Sequence, residues 1–514
     1  MSLNLSRRNF VRLTAAAGAS TMLPRFAIAQ SRPDIVIAVQ QNPNTTEPLN
    51  EIGNTGFRGL YSVYDNLIAT DYANGMKTKP GLATEWKRID NRTLELKLRP
   101  GVKFHNGDTM TAEDVAFSFG PERMNSKDAP GWAPTRYIWG GLDSVQIVDA
   151  STVRFVTKQD DPILEKRVAG WCSQIISKRA YTEAGDWKKW SIIGVGTGPL
   201  KVVENKPGEY IRLEAHDDYW GGKPNVASVT FRVVAEVAAR IAGLEAGEYQ
   251  VISDLPPDHF DEVGARSDLG VVGGPLFNHR VVCFDCRNPL IAKPAMRQAL
   301  SLALDRQSLV DSLWGGKVGV PRGLQWAQYG DLYNAQRAKP AFDLDKTKEL
   351  LNAAGYGGEQ LMYRIANNYY LNEVPTAEAI TDMWSAAGIN VKLEVVENMH
   401  NPDNAAMYDW SNSGLMLDPV GGIWRLYGDT AYQQGNGLWK NDEFNRLGGV
   451  LNTSMDQAER YKAEQSMLDI YDTIDPPGFI LHEFGAFFGK SNKVDFPFYP
   501  DLAMDFGPDA FKIA

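Results

Sequence analysis

Residues 80–119 read PGLATEWKRIDNRTLELKLRPGVKFHNGDTMTAEDVAFSF. Within Thr93–Arg99, Leu94, Leu96 and Leu98 alternate with polar neighbours, the period-two pattern of a half-buried strand. PGVKFHNG, Pro100 to Gly107, turns the chain out of that strand. Thr111 and Asp114 then stand in capping-box spacing ahead of Val115, Phe117 and Phe119, so a helix starts there. Strand, turn and helix in one short stretch set a mixed α/β texture.

The same texture continues downstream. GVGTGP, Gly194 to Pro199, is rich in breakers and is a hinge candidate. KVVENKPGEYIRLEAH reads as strand, turn at Pro207-Gly208, strand. KPAMRQALSLALDRQSLVDSLW carries helical periodicity through Met296, Leu300, Leu304 and Leu309. FDLDKTKELLNAAGY predicts a helix capped near Asp343 and stopped at Gly355. MYRIANN and INVKLEVVE are strands flanking a helix around Ala377 to Ala387, which predicts parallel βαβ units. No internal repeat is visible.

At 514 residues the chain is too long for one ordinary core, and two or three lobes are expected. It is 43% hydrophobic and 23% charged, a globular composition. A net charge of −10 argues against nucleic acid as a partner. The 13 Trp and 20 Tyr suit a binding surface as well as plain cores.

The N-terminus reads as an export signal. Ser6, Arg7, Arg8 and Phe10 fall in the register of a twin-arginine signal, and a mildly apolar stretch of small residues follows. Ala27-Ile28-Ala29 is a small-x-small cleavage site, so residues 1–29 are expected to be removed. That segment holds four arginines and no acid, so cleavage takes the charge from −10 to −14. No Cys lies near the cleavage point and no later run nears the roughly 20 apolar residues of a membrane span. A product free in a periplasm is expected.

Three cysteines occur, Cys172, Cys283 and Cys286. RVVCFDCRN reads as a strand, where residues three apart point to opposite faces, so the CxxC thiols diverge. No second CxxC completes a zinc site, and the six histidines (105, 216, 259, 279, 400 and 482) lack metal-ligand spacing. Neither a metal site nor a cofactor is expected. No GxSxG elbow, HExxH, P-loop or GxGxxG occurs either, so an exported enzyme is a minority reading.

In this order the segments resemble the family-5 extracellular solute-binding proteins of ABC transporters, the dipeptide, oligopeptide and nickel group. Pro80–Phe119 looks like the family signature. GTGPLKVVENKPGEYIRLEAHDDYWGGKP, Gly196 to Pro224, is similar to a second hallmark. KPAMRQALSLALDRQSLVDSLWGGKVGVP and AFDLDKTKELLNAAGY match two more. The resemblance implies an α/β, three-lobed type II (cluster C) periplasmic binding fold. Two main lobes close by a hinge and an extra lobe is inserted. Lobe I would comprise 30–70, 196–283 and 479–514, lobe II 71–195 and lobe III 284–478. The signature residues Phe104, His105, Asn106 and Gly107 would be structural, so His105 is no catalytic base. The implied function is capture of a small peptide or peptide-like solute by a monomer that delivers it to an inner-membrane ABC permease. An opine-type amino-acid–sugar conjugate or an oligosaccharide is the alternative, and a metal chelate, as in nickel-type relatives, is a third.

The resemblance also suggests ligand-binding residues. In peptide-binding members a late strand carries an Asp that pairs with the peptide α-ammonium. In SGLMLDPVGG, Ser413 to Gly422, two alignments compete. Anchoring on MYDW puts Asp418 at that position, and anchoring on Asp418-Pro419 puts Leu415 there. Leu415, Met416 and Asp418 are therefore candidates. Asn54 and Phe57 lie where the family's first lobe meets ligand, and Trp171 falls near a pocket segment of lobe II. Asn367 and Tyr369 end a predicted strand, and strand ends of α/β sheets face clefts. Trp410 and Trp424 offer stacking surfaces, and Arg425 a bidentate donor for carboxylate or phosphate.

Overall fold

The computed structural model describes residues 32–513, apart from 125, 127, 132–134, 368–369 and 397–404. The export-signal segment and His400 thus lie outside the described residues. Pro33–Ala514 packs as one unit around a ten-stranded mixed sheet. Its order is Val391–Val396, Leu361–Ala366, Met407–Ser413, Leu269–Phe284, Gly478–Ser491, Val251–Ile252, Asp34–Val39, Ser228–Val233, Tyr210–Ala215 and Leu200–Lys206.

The two long central strands, Leu269–Phe284 and Gly478–Ser491, run antiparallel and tie the halves of this sheet together. On one side lies the predicted βαβ unit. Leu361–Ala366 pairs in parallel with Val391–Val396 across the helix Glu373–Ala386. That half has a core of its own, with Phe284, Met296, Leu300, Tyr363, Trp384 and Phe479. The sheet continues without a break across residue 283, because His279 pairs with Asn412 and Cys283 with Tyr408.

The opening stretch folds as its pattern predicts. Thr93–Leu98 is a strand with Leu94 and Leu96 fully buried, in a separate antiparallel sheet ordered Ala83–Asp90, Thr93–Leu98, Thr152–Thr157, Leu142–Asp149. Glu95 is buried as well, drawn in by Arg154 and Lys87. The helix Ala112–Ser118 starts in a two-sided capping box between Thr111 and Asp114.

His105 belongs to the scaffold. Its Nε2 lies 3.1 Å from the Gly198 carbonyl, and its Nδ1 lies 3.3 Å from the Gly196 N–H. One ring nitrogen donating and the other accepting defines a neutral imidazole. Burial pushes its pKa down to about 3. The ring therefore locks the signature turn onto GVGTGP. The glycines there serve close approach: a Cβ on Gly194 would sit 2.0 Å from the Tyr64 hydroxyl, and one on Gly196 2.2 Å from the Val63 carbonyl.

Two sequence expectations change. The apolar periodicity from Met296 to Leu309 is two helices, Pro294–Leu302 and Arg306–Trp314, because Asp305 accepts the Ser308 N–H and opens a new helix. The central strand ends at Phe284, so Cys286 lies in the turn beyond it, not on the strand with Cys283.

Candidate functional site

A cavity of about 840 Å³ opens between segments from both ends of the chain and its middle. Its floor is set by the helix Asn54–Leu60. Arg58 points inward from that helix and holds Asp254 through two hydrogen bonds of 3.0 Å. Asp254 receives it in left-handed backbone, φ 55°. With Arg58 buried, Phe57 on the same short helix lines the cavity. Its ring meets Trp171 edge-on at 4.6 Å. The Trp171 indole donates to the Pro48 carbonyl at 3.0 Å and its backbone N–H to Leu415 at 3.1 Å. Leu415, Met416 and Leu417 thereby form the facing wall.

The cavity is also lined by four carboxylates: Glu165, which is paired with Arg88, and Asp65, Asp501 and Asp505. Asp65 accepts hydrogen bonds from the Trp220 indole and the Thr197 hydroxyl, both at 2.9 Å, and from Tyr219 at 3.3 Å. Asp501 accepts from the Tyr72 hydroxyl and the Ala503 N–H. Asp505 accepts from the Gly507 N–H at 2.7 Å and, at 3.5 Å, from Tyr499. Every one of these donors is neutral. Burial disfavours the charged form, so the pKa of Asp65 rises to about 6, and those of Asp501 and Asp505 rise too. The Tyr72 and Tyr499 rings stack at 4.1 Å beside them.

Four candidates read from the sequence line the cavity: Phe57, Trp171, Leu415 and Met416. The structure does not bring Asp418 there. Its side chain is 0% exposed, accepts from Arg460 at 2.6 Å and from Lys166 at 3.3 Å, and caps its own turn through the Val420 N–H. Asn54 begins the helix but lies off the cavity. Asn367 is exposed at a strand end, its N–H on the Val396 carbonyl. Trp410 stacks on Tyr432, and Trp424 on Phe444, away from the cavity. Arg425 donates to the Gly421 and Ser413 carbonyls. Tyr369 lies outside the described residues.

Sequence reasoning missed the four carboxylates and Tyr72. Tyr219 and Trp220 belong to the quoted HDDYWGGKP hallmark, so a signal for Asp65's partners was present. Among the described residues no group of three or more His, Cys, Asp or Glu is arranged to hold a metal ion. Nor is any helix long and apolar enough to cross a membrane.

The fold that surrounds this cavity is a known one. The fold matches the dipeptide-binding protein of Pseudoalteromonas sp. SM9913 in complex with Met-Leu, with a TM-score of 0.84 at 20% identity over 94% of this chain and 100% of the other. It matches the periplasmic binding protein AgaA of A. tumefaciens R10, in complex with agropinic acid, with a TM-score of 0.81 at 20% identity over 94% and 99%. These likenesses establish the type II periplasmic binding fold. Residues 77–434 match the profile of the bacterial extracellular solute-binding proteins, family 5. The chain belongs to that family. The di/tripeptide-binding protein 1 of Pseudomonas aeruginosa is 26% identical over 477 residues, 85% of this chain and 87% of its own.

Proposed function

We propose that the chain is the substrate-binding subunit of an ABC importer that takes a short peptide or peptide-like solute. The observation that carries this reading is the cavity bounded by Phe57, Trp171 and Leu415–Leu417, a mixed apolar and polar enclosure suited to a small zwitterion. Lobe I (30–70, 196–283 and 479–514) and lobe III (284–478) then close on the ligand about the two long central strands. Lobe II (71–195) contributes Trp171 to the wall. The separate core around the βαβ unit favours setting that part of lobe III apart, while the main core runs on into lobe III through Trp314, Ile423 and Tyr471. The twin-arginine segment fits export to the periplasm, where the protein acts as a monomer and hands ligand unchanged to a permease. No catalytic role is assigned to any residue.

Native mass spectrometry of the freshly purified protein, with release and identification of the bound compound, tests this reading. Short peptides are the expected result. A sugar- or phosphate-bearing compound would replace it with the opine or saccharide reading. That second reading draws on one observation, the Leu at position 415 where peptide-binding members carry an Asp in one alignment.

A further inference from the structure

We propose that the hairpin Ile68–Pro80 is a flap over the cavity, and that Met76 at its tip is the stop that limits how long a solute the cavity takes. The inference rests on the solute-binding reading above and adds to it a residue that selects by size.

Ile68–Asp71 and Lys77–Pro80 pair as a two-stranded sheet of their own, apart from the ten-stranded one. Asp71 stands opposite Lys77, which leaves Tyr72 to Met76 as the tip. The root is tied through main chain. The Leu67 carbonyl accepts the Gly81 and Ala83 N–H groups at 3.2 and 2.8 Å, and the Asn66 carbonyl accepts that of Leu82 at 3.0 Å. A two-stranded hairpin by itself is marginal in water, so the position of the tip depends on what it touches.

The tip reaches the rest of the protein through side chains. Its Met76 N–H bonds back to the Asp71 carbonyl at 2.9 Å, within the hairpin. Tyr72 stacks on Tyr499 at 4.1 Å and donates to Asp501. Met76 packs against the buried cluster of Phe277, Trp326, Tyr329 and Leu332. Both side chains are half-buried, whereas Ala73, Asn74 and Gly75 between them are exposed. The tip is thus turned inward at its two ends.

Met76 lines the cavity together with Phe277 and Leu417, and so do Thr70 and Thr78 from the two strands of the hairpin. The hairpin therefore covers the cavity, and the Met76 side chain shuts it between the flap and the Phe277 cluster. The facing wall is fixed differently, by the Trp171 N–H on the Leu415 carbonyl at 3.1 Å and by Lys166 on the Leu417 carbonyl at 2.8 Å.

The backbone of the tip adds an independent support. Gly75 and Met76 both lie in the left-handed region, with φ of 69° and 61°. Glycine adopts that conformation freely, and a residue with a Cβ pays for it. A methionine held there marks a place where the side chain is used. Its flexible thioether chain is suited to filling an irregular gap against aromatic rings.

The test offers one casein hydrolysate to purified wild type, Met76→Gly and Met76→Leu, and reads the retained masses by native mass spectrometry. Glycine suits the left-handed backbone, so Met76→Gly removes the side chain without straining the fold. The expected result is an upper mass limit, shared by wild type and Met76→Leu, that rises by a residue or more in Met76→Gly. Hydrogen exchange across 68–80 should be faster in Met76→Gly alone, with Ala83–Asp90 unchanged. One mass limit for all three proteins, or unaltered exchange in the hairpin, overturns the flap and its stop and leaves the peptide reading standing. Retention by none of the three removes both.

Discussion

Asp418 and Arg460 form a buried ion pair, with Arg460 Nη2 donating to Asp418 Oδ1 at 2.6 Å and both side chains almost fully withdrawn from solvent. The pair joins the turn after the strand Met407–Ser413 to the helix Gln457–Asp469. Lys166 closes the arrangement from the other side. All of the carboxylate's charge is spent inside the protein. Asp418→Ala would leave Arg460 buried without its counter-charge, a loss of about 3–5 kcal/mol. A lowered urea midpoint with little change in affinity of the variant that remains folded is expected. An unshifted midpoint together with lost binding would return Asp418 to the ligand.

Trp171 makes three separate contacts, to Phe57, Pro48 and Leu415, each from a different segment of the chain. A large aromatic at such a junction both shapes the cavity and excludes water. Trp171→Ala should weaken a co-purifying ligand by about tenfold or more, in line with aromatic anchor positions. Trp171→Phe, which keeps the ring contact and loses only the indole N–H, should recover part of it. Calorimetric titration of the two variants with that ligand checks the order. Equal affinities for wild type and Trp171→Ala would place the ligand elsewhere.

The cysteines provide a simpler check. Cys172 and Cys283 are buried and unpaired, and burial pushes both thiol pKa values up to about 12. Cys286, half-buried in the turn, is raised to about 11. A thiolate is the reactive form, so all three should react slowly with a disulfide reagent at neutral pH. The expected trace is slow labelling led by Cys286, and all three thiols only in denaturant. Rapid labelling of the native protein would disprove the buried assignment.

What was legible in the sequence was local. Leu94 and Leu96 face inward because a strand alternates its side chains, and the Thr111–Asp114 box spans three residues. The cap at Asp343 and the stop at Gly355 are of the same kind. The break at Asp305 was hidden because the apolar period runs through it and only the capping hydrogen bond reveals the second helix. The burial of Asp418 was hidden for a related reason. Its turn chemistry was plain, but its partner lies 42 residues on and nothing local marks Arg460 as that partner. Asp65 and Asp505, from opposite ends of the chain, act on each other through space, a proximity that only the folded chain creates.

The raised pKa of Asp65 carries a pH prediction with a definite sign. Its carboxyl titrates at about 6 in the folded protein, above its ordinary value of 3.8, chiefly because burial disfavours the charge. Between those values the folded state holds a proton that the unfolded chain has released. The contribution to stability is therefore fully present below the unfolded pKa and is lost as pH rises through about 6. Asp65→Asn removes the ionisation while keeping an acceptor for Trp220 and Thr197. Thermal midpoints of variant and wild type should differ more in favour of Asn at pH 7.5 than at pH 4. A constant difference in midpoint across the range would mean that Asp65 titrates alike in the folded and unfolded chains.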